Sequence, residues 1–197
     1  MDLGPSDGAN YWAMDELTGL AMGAREGDRA ALERFVRASQ ADVWRLCAHL
    51  GGGERADDLC QETFIRAIGA LRAFRGESSA RTWLLSIARR VCADDVRRNQ
   101  RRRALFSRLS AEHRPEVGEG VDHRVVLDEL LRDLEPDRRD AFVLTQMIGL
   151  SYEETAVVCG CPVGTVRSRV SRARADLVAM TVEAAQATHP SSAGNDS

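Results

Sequence analysis

The sequence predicts an all-α fold: two small helical domains joined by a flexible linker. No stretch alternates apolar and polar residues long enough to make a strand, whereas apolar residues recur at helical spacing through most of the chain. Only 5% of residues are aromatic, so a core must be built from Leu, Val, Ile and Ala, a composition suited to packed helices. Between residues 104 and 122 the apolar period lapses around Pro115, Gly118 and Gly120, which marks the linker.

The elements follow in order. Residues 1–14 contain Gly and Asp and read as a flexible N-terminus. A first helix is expected from about Asp15 to Arg25. A second begins at the N-cap Asp28, carries Leu32, Phe35, Val36, Val43, Leu46 and Leu50 at helical spacing, and ends at Gly51, Gly52 and Gly53. A third, about Ala56 to Arg72, has an apolar stripe of Cys60, Phe64, Ala67, Ile68 and Leu71. Its N-terminal turn holds Asp57, Asp58, Gln61 and Glu62, where the helix dipole favours acids. After a polar loop, a fourth helix is capped by Ser78 or Ser79, buries Leu84, Ile87, Ala88 and Val91, and runs out through Arg97 and Arg98. Residues 15–103 thus form the first domain.

The second domain, 123–182, opens with a helix near Val125–Leu134 and a break at Pro136. A helix from about Asp137 to Ile148 follows, closed by Gly149. Ser151 opens another, with Glu154 three residues on, a capping box. Residues 183–197 read as a disordered tail.

Several function classes are excluded at this point. No apolar run approaches the roughly 20 residues that cross a bilayer. Asp2 and Asp7, with no early basic residue, do not suit a signal peptide, so a cytoplasmic protein without membrane insertion is expected. Cys47, Cys60, Cys92, Cys159 and Cys161 are odd in number and scattered, and read as free thiols rather than as a disulfide framework or a zinc site. The sequence shows no glycine-rich phosphate loop, nucleophile elbow or metal spacing, so no cofactor, metal or small-molecule substrate is expected. The net charge of −3 argues against a nonspecific nucleic-acid coat. Its distribution differs: Arg97–Arg108 holds six arginines and no acid, and Val163–Ala175 holds four and none. Two basic patches on an acidic chain suggest two separate contacts with a polyanion.

The strongest chemical signal lies between Ser151 and Leu177. A short helix with Tyr152, Ala156, Val157 and Val158 is interrupted at Gly160, Cys161 and Pro162. In the next helix Val163, Val166, Val170, Ala173 and Leu177 are spaced 3, 4, 3 and 4 apart, an apolar seam. Its opposite face carries Thr165, Arg167, Ser168, Ser171, Arg172 and Arg174. This is a helix-turn-helix pattern. A helix about 10 Å wide enters a major groove of about 12 Å, where Arg can hold guanine by two hydrogen bonds and Ser or Thr can hold phosphates.

Three segments together carry a family resemblance. Ser151-Tyr-Glu-Glu-Thr-Ala156 with Cys161-Pro-Val-Gly-Thr-Val-Arg-Ser-Arg-Val-Ser-Arg-Ala-Arg174 resembles domain 4 of extracytoplasmic-function sigma factors. Ala56-Asp-Asp-Leu-Cys-Gln-Glu-Thr-Phe64 resembles the core-polymerase-binding stretch of their domain 2. Phe74-Arg-Gly-Glu-Ser-Ser-Ala-Arg-Thr-Trp-Leu-Leu-Ser-Ile-Ala-Arg89 resembles the stretch that melts and reads the −10 element. The resemblance covers about residues 17–180 and has the family's order.

The resemblance implies that Asp57, Asp58, Gln61 and Glu62 contact a coiled coil of the largest polymerase subunits, although acids at a helix start also serve as caps. It implies −10 contacts from Ser78, Ser79, Arg81, Arg89 and Arg90. Trp83 is open to two readings: a stacking platform, or core packing beside Leu84. Arg97, Arg98, Arg101, Arg102 and Arg103 would lie against upstream phosphates or form a solvated run. In domain 4 the resemblance implies −35 contacts from Thr165, Arg167, Ser168, Ser171 and Arg172; a bulkier residue can stand at the position of Ser171 in relatives. Implied partners are core RNA polymerase, promoter DNA and an anti-sigma protein.

Two rivals are weighed against this. A free-standing regulator with the same helix-turn-helix would need residues 17–100 as a sensor or dimerisation domain, and would bind duplex DNA unaided. An enzyme using Asp57 and Asp58 is disfavoured because adjacent helical residues point about 100° apart.

Overall fold

The computed structural model describes residues 15–106 and 123–188; residues 1–14, 107–122 and 189–197, and the flexibility expected of them, lie outside the described residues. Among the described residues every regular element is helical. The first four helices are α1 (Glu16–Arg25), α2 (Arg29–Gly51), α3 (Ala56–Ala70) and α4 (Ala80–Phe106). The second group is α5 (His123–Asp133), α6 (Pro136–Phe142), α7 (Tyr152–Cys159) and α8 (Val163–Thr188).

The caps explain where the first group begins and ends. Asp15 accepts from Thr18 N at 3.0 Å, and the Thr18 hydroxyl in turn accepts from Ala80 N at 2.9 Å, so the start of α1 also holds the start of α4. Asp28 Oδ1 accepts from Ala30 N and Ala31 N to open α2. Gly52, at φ +92°, ends it in a conformation that side chains resist. Phe35, Val43, Leu46, Leu59, Phe64, Leu71, Leu84, Leu85 and Val91 fill the interior of this bundle.

Several expected boundaries are corrected. α3 stops at Ala70 and a tighter turn, Leu71–Ala73, follows. α4 continues through Phe106, past the expected linker start at 104, because Arg, Ala and Leu are good helix formers and no Gly or Pro intervenes. The break expected at Pro136 is present, and α6 starts at the proline itself: Glu135 caps the new turn by accepting from Asp137 N and Arg138 N, and a first-turn proline lacks only an N–H that would go unused. The helix expected to reach Ile148 widens after Phe142 into a π turn, Val143–Met147. α8 extends to Thr188, so residues 183–188 are helical and not tail; the run is rich in Ala and other helix formers.

The two groups dock against each other. One apolar cluster runs from Leu50, Leu84 and Cys92 into Leu144, Ile148, Leu150 and Val158. α4 lies against α7, and α2 against the π turn. Arg89 Nε sits 2.6 Å from Asp140 Oδ2 across the junction, with the two side chains 20% and 11% exposed. Arg81 Nη2 donates to the Ile148 carbonyl at 2.9 Å, and its Nε pairs with Asp42 at 2.7 Å.

Candidate nucleic-acid and partner interfaces

α7 and α8 form the helix-turn-helix. Ser151 Oγ accepts from Glu154 N at 3.1 Å while the Glu154 carboxylate accepts from Ser151 N at 2.8 Å, the complete capping box. Gly160, at φ +65°, closes α7 in the left-handed region. Val166, Val170 and Ala173 of α8 are buried. Arg167, Ser168, Ser171, Arg172 and Arg174 are exposed, and Thr165 is half-buried. Among the described residues neither Arg167 nor Arg172 pairs with an acid, so both guanidiniums stand free in solvent. Arg174 donates to Gln146 Oε1 at 2.7 Å. Arg169 lies on the flank of the seam and pairs with Asp137, tying α8 to α6.

The four polar residues singled out at the start of α3 fall on two different faces. Asp57 and Gln61, four apart, border a groove of about 420 Å³ whose other walls include Val36, Trp44, Phe64, Ile65 and Ile68. Trp44 Nε1 donates to Asp57 Oδ1 at 2.8 Å. Asp58 and Glu62 border a second, charged groove with Arg55, Arg66, Asp95 and Arg98. Glu62 pairs there with Arg66 at 2.8 Å. Leu59 and Phe64 are buried, as expected, but Ile68 is not: it is 45% exposed, beside Ile65 at 60% and Trp44 at 42%. This exposed apolar patch, the kind that marks an interaction surface, was missed because Ile68 fits the helical period of the buried stripe.

The −10 stretch is mixed. Phe74 and Trp83 meet at 5.0 Å between centroids with their planes tilted by 44°, and Trp83 packs against the core, in keeping with the core-packing reading. The two rings, with Arg75, Glu77 and Ser78, line an open hollow of about 250 Å³. Arg90 is exposed and Ser78 half-buried. Ser79 is corrected: it is buried as the cap of α4, its oxygen accepting from Thr82 N at 3.1 Å and lying 2.8 Å from the Thr82 hydroxyl. Arg81 and Arg89 are held at the domain junction. Burial works against the charge of Arg89, yet Asp140, Cys159 and Asp137 together outweigh it and the guanidinium is held more basic than usual. Burial likewise pushes the Asp140 carboxyl up, against the opposing pull of Arg89.

The pattern of Sigma-70 region 2 matches residues 35–102, and that of Sigma-70, region 4 matches residues 124–177. The ECF RNA polymerase sigma factor SigC of Mycobacterium tuberculosis is 48% identical over 168 residues, which span 84% of this chain and 91% of SigC. The chain belongs to the extracytoplasmic-function sigma factors of the sigma-70 family. Two solved sigma-factor structures share its fold. CnrH, in complex with the cytosolic domain of CnrY, aligns over 86% of this chain and 99% of its own length, with a TM-score of 0.68 and 26% identity. RpoE of Bartonella quintana, in complex with the anti-sigma factor NepR, aligns over 74% and 92%, with a TM-score of 0.62 and 28% identity.

As a sigma factor the chain binds core RNA polymerase and directs promoter recognition and transcription initiation; it is not an enzyme. The region 2 match contains the α3 grooves, and the region 4 match contains the exposed arginine face. No helix among the described residues is long and apolar enough to cross a membrane. No group of three or more His, Cys, Asp or Glu residues there could hold a metal ion. The five cysteines are free; Cys47, Cys60 and Cys92 are buried, Cys159 and Cys161 partly so. Burial pushes the Cys60 thiol up to about 11 and the Cys159 thiol up to about 12.

Proposed function

We propose that this sigma factor, acting in the cytoplasm, divides its work among three surfaces. Asp57, Asp58, Gln61 and Glu62, with the exposed Trp44, Ile65 and Ile68 beside them, grip core polymerase. The hollow at Phe74 and Trp83, with Ser78, Arg81, Arg89 and Arg90 around it, takes the melted −10 strand: aromatic faces suit an unstacked base and arginines suit the backbone. Thr165, Arg167, Ser168, Ser171 and Arg172 read the −35 duplex. The acid-free face of α8, where Arg167 and Arg172 are exposed and pair with no acid among the described residues, carries this reading. Transcription in vitro with purified core polymerase and a promoter library tests it: enriched templates should share two short elements at a fixed spacing, and a library that stays unenriched contradicts it.

The docked arrangement fits a resting state. Arg81 and Arg89 are engaged by α2 and the second domain, while the −35 face stays open. Reading the −10 element therefore requires the domains to part when polymerase binds. Asp140→Asn removes one charge of the buried pair with Arg89, a change that costs about 3 kcal/mol where both charges are shielded from water. Energy transfer between dyes on the two domains should report a more open free chain for this variant; unchanged transfer would show that the pair does not hold the domains together. The relatives solved with bound partners, RpoE with NepR among them, support an anti-sigma protein as a further partner, one that would stabilise a closed form of this chain.

A further inference from the structure

Between α3 and α4 lies a cluster of charges that neither DNA reading nor the apolar groove explains. Asp95 is 2% exposed, the most buried acid among the described residues. Arg55, which immediately precedes α3, brings Nη1 within 2.8 Å of Asp95 Oδ1. Asn99 Nδ2 donates to Asp95 Oδ2 at 3.0 Å, and Arg55 Nη1 donates to Asn99 Oδ1 at 3.4 Å, which closes a three-residue ring. Arg98 Nη1 adds a longer contact at 3.9 Å. Asp95 Oδ1 has ion-pair partners but no well-directed hydrogen bond, so its hold on Arg55 and Arg98 comes from charge more than from geometry. Beside this ring Arg66 of α3 bridges Glu62 at 2.8 Å and Asp94 of α4 at 3.0 Å, and Asp94 pairs with Arg97 at 2.7 Å. Arg97 and Arg66 together hold the Asp94 carboxyl below its ordinary range.

The cluster thus joins two surfaces with different jobs. One end is the first two turns of α3, with Asp58 and Glu62. The other end is the arginine-bearing half of α4, with Arg97 and Arg98. A buried carboxylate of α4 that pairs with Arg55, the N-cap residue of α3, ties the start of α3 to α4, because moving that start away would strip the carboxylate of its closest cation.

We propose that Asp95 is a positioning residue that locks the polymerase-binding end of α3 to the basic half of α4, so that seating on the polymerase sets how α4 meets promoter DNA. This rests on the surfaces assigned under Proposed function. The test uses holoenzyme assembled from purified core polymerase and the full chain carrying Asp95→Asn, Arg55→Gln or both. Asp95→Asn keeps the shape and an acceptor for Asn99 while removing the charge.

Core affinity should stay within about twofold of the parent. Permanganate reactivity of the −10 thymines should fall about tenfold, a usual size for coupling between two sites. The double variant should be no worse than the worse single one. Melting equal to the parent overturns the proposal, and so does a loss of core affinity in step with melting, which is what a purely structural role would give. Should Asp95→Asn fail to fold, Arg55→Gln, at a half-exposed site, carries the same comparison. Failure of the underlying reading is separable: the parent holoenzyme would then melt no promoter, and the inference would fall with it.

Discussion

Replacing Arg167 and Arg172 together by alanine should lower the affinity of the holoenzyme for promoter DNA about a hundredfold and leave its assembly with core polymerase unchanged. Both side chains are exposed on α8 and pair with no acid among the described residues, so removing them leaves no buried charge behind and no packing gap. The loss would come from contacts made with DNA. A bidentate arginine–guanine contact contributes roughly 1–3 kcal/mol, and two such losses add when the sites are independent. Salt dependence separates the two kinds of contact. If an arginine meets phosphate instead of a base edge, the slope of log affinity against log salt should flatten by about 0.9 per arginine, with no change in sequence preference. A double variant that binds promoter as well as the parent would remove α8 from the DNA interface.

The second large effect is expected at the apolar groove. Ile65→Glu should weaken binding to core polymerase by about thirtyfold, the scale of a central interface residue, while the melting temperature of the free chain barely moves. The side chain is already 60% exposed, so a polar replacement costs the fold little. Trp44→Phe should give a smaller loss, because it keeps an aromatic wall but removes the 2.8 Å hydrogen bond that orients Asp57. Titration of labelled core polymerase measures both. Equal affinity for parent and Ile65→Glu would confine the polymerase contact to the acids and leave the apolar patch without a role in it.

The sequence showed periodicity and caps well, because both depend on neighbours along the chain. The seam Val166, Val170 and Ala173 is buried as its spacing implies, and the capping box at Ser151 forms with both bonds. Asp28 caps α2 as expected, and of the two serines offered for α4 it is Ser79 that caps it. What spacing does not reveal is which part of a helix surface has a neighbour. Ile68 obeys the period of α3 yet faces solvent. Asp57 and Asp58 looked like one acidic patch but belong to two grooves, since adjacent residues turn about 100° apart. Arg81 and Arg89 looked free because Asp42, Ile148 and Asp140 lie 39, 67 and 51 residues away in the chain. The docking of the two domains is a long-range outcome of the same kind: it depends on surface complementarity between segments that no local pattern connects.

Site-specific photocrosslinking in one holoenzyme–promoter complex tests the central claim most directly. A crosslinker in place of Ser168 should attach to double-stranded DNA at the −35 element, and one in place of Gln61 should attach to polymerase and not to DNA. Ser168 crosslinking to polymerase alone, or Gln61 crosslinking to promoter, would contradict the assignment of α8 to DNA and the start of α3 to the enzyme.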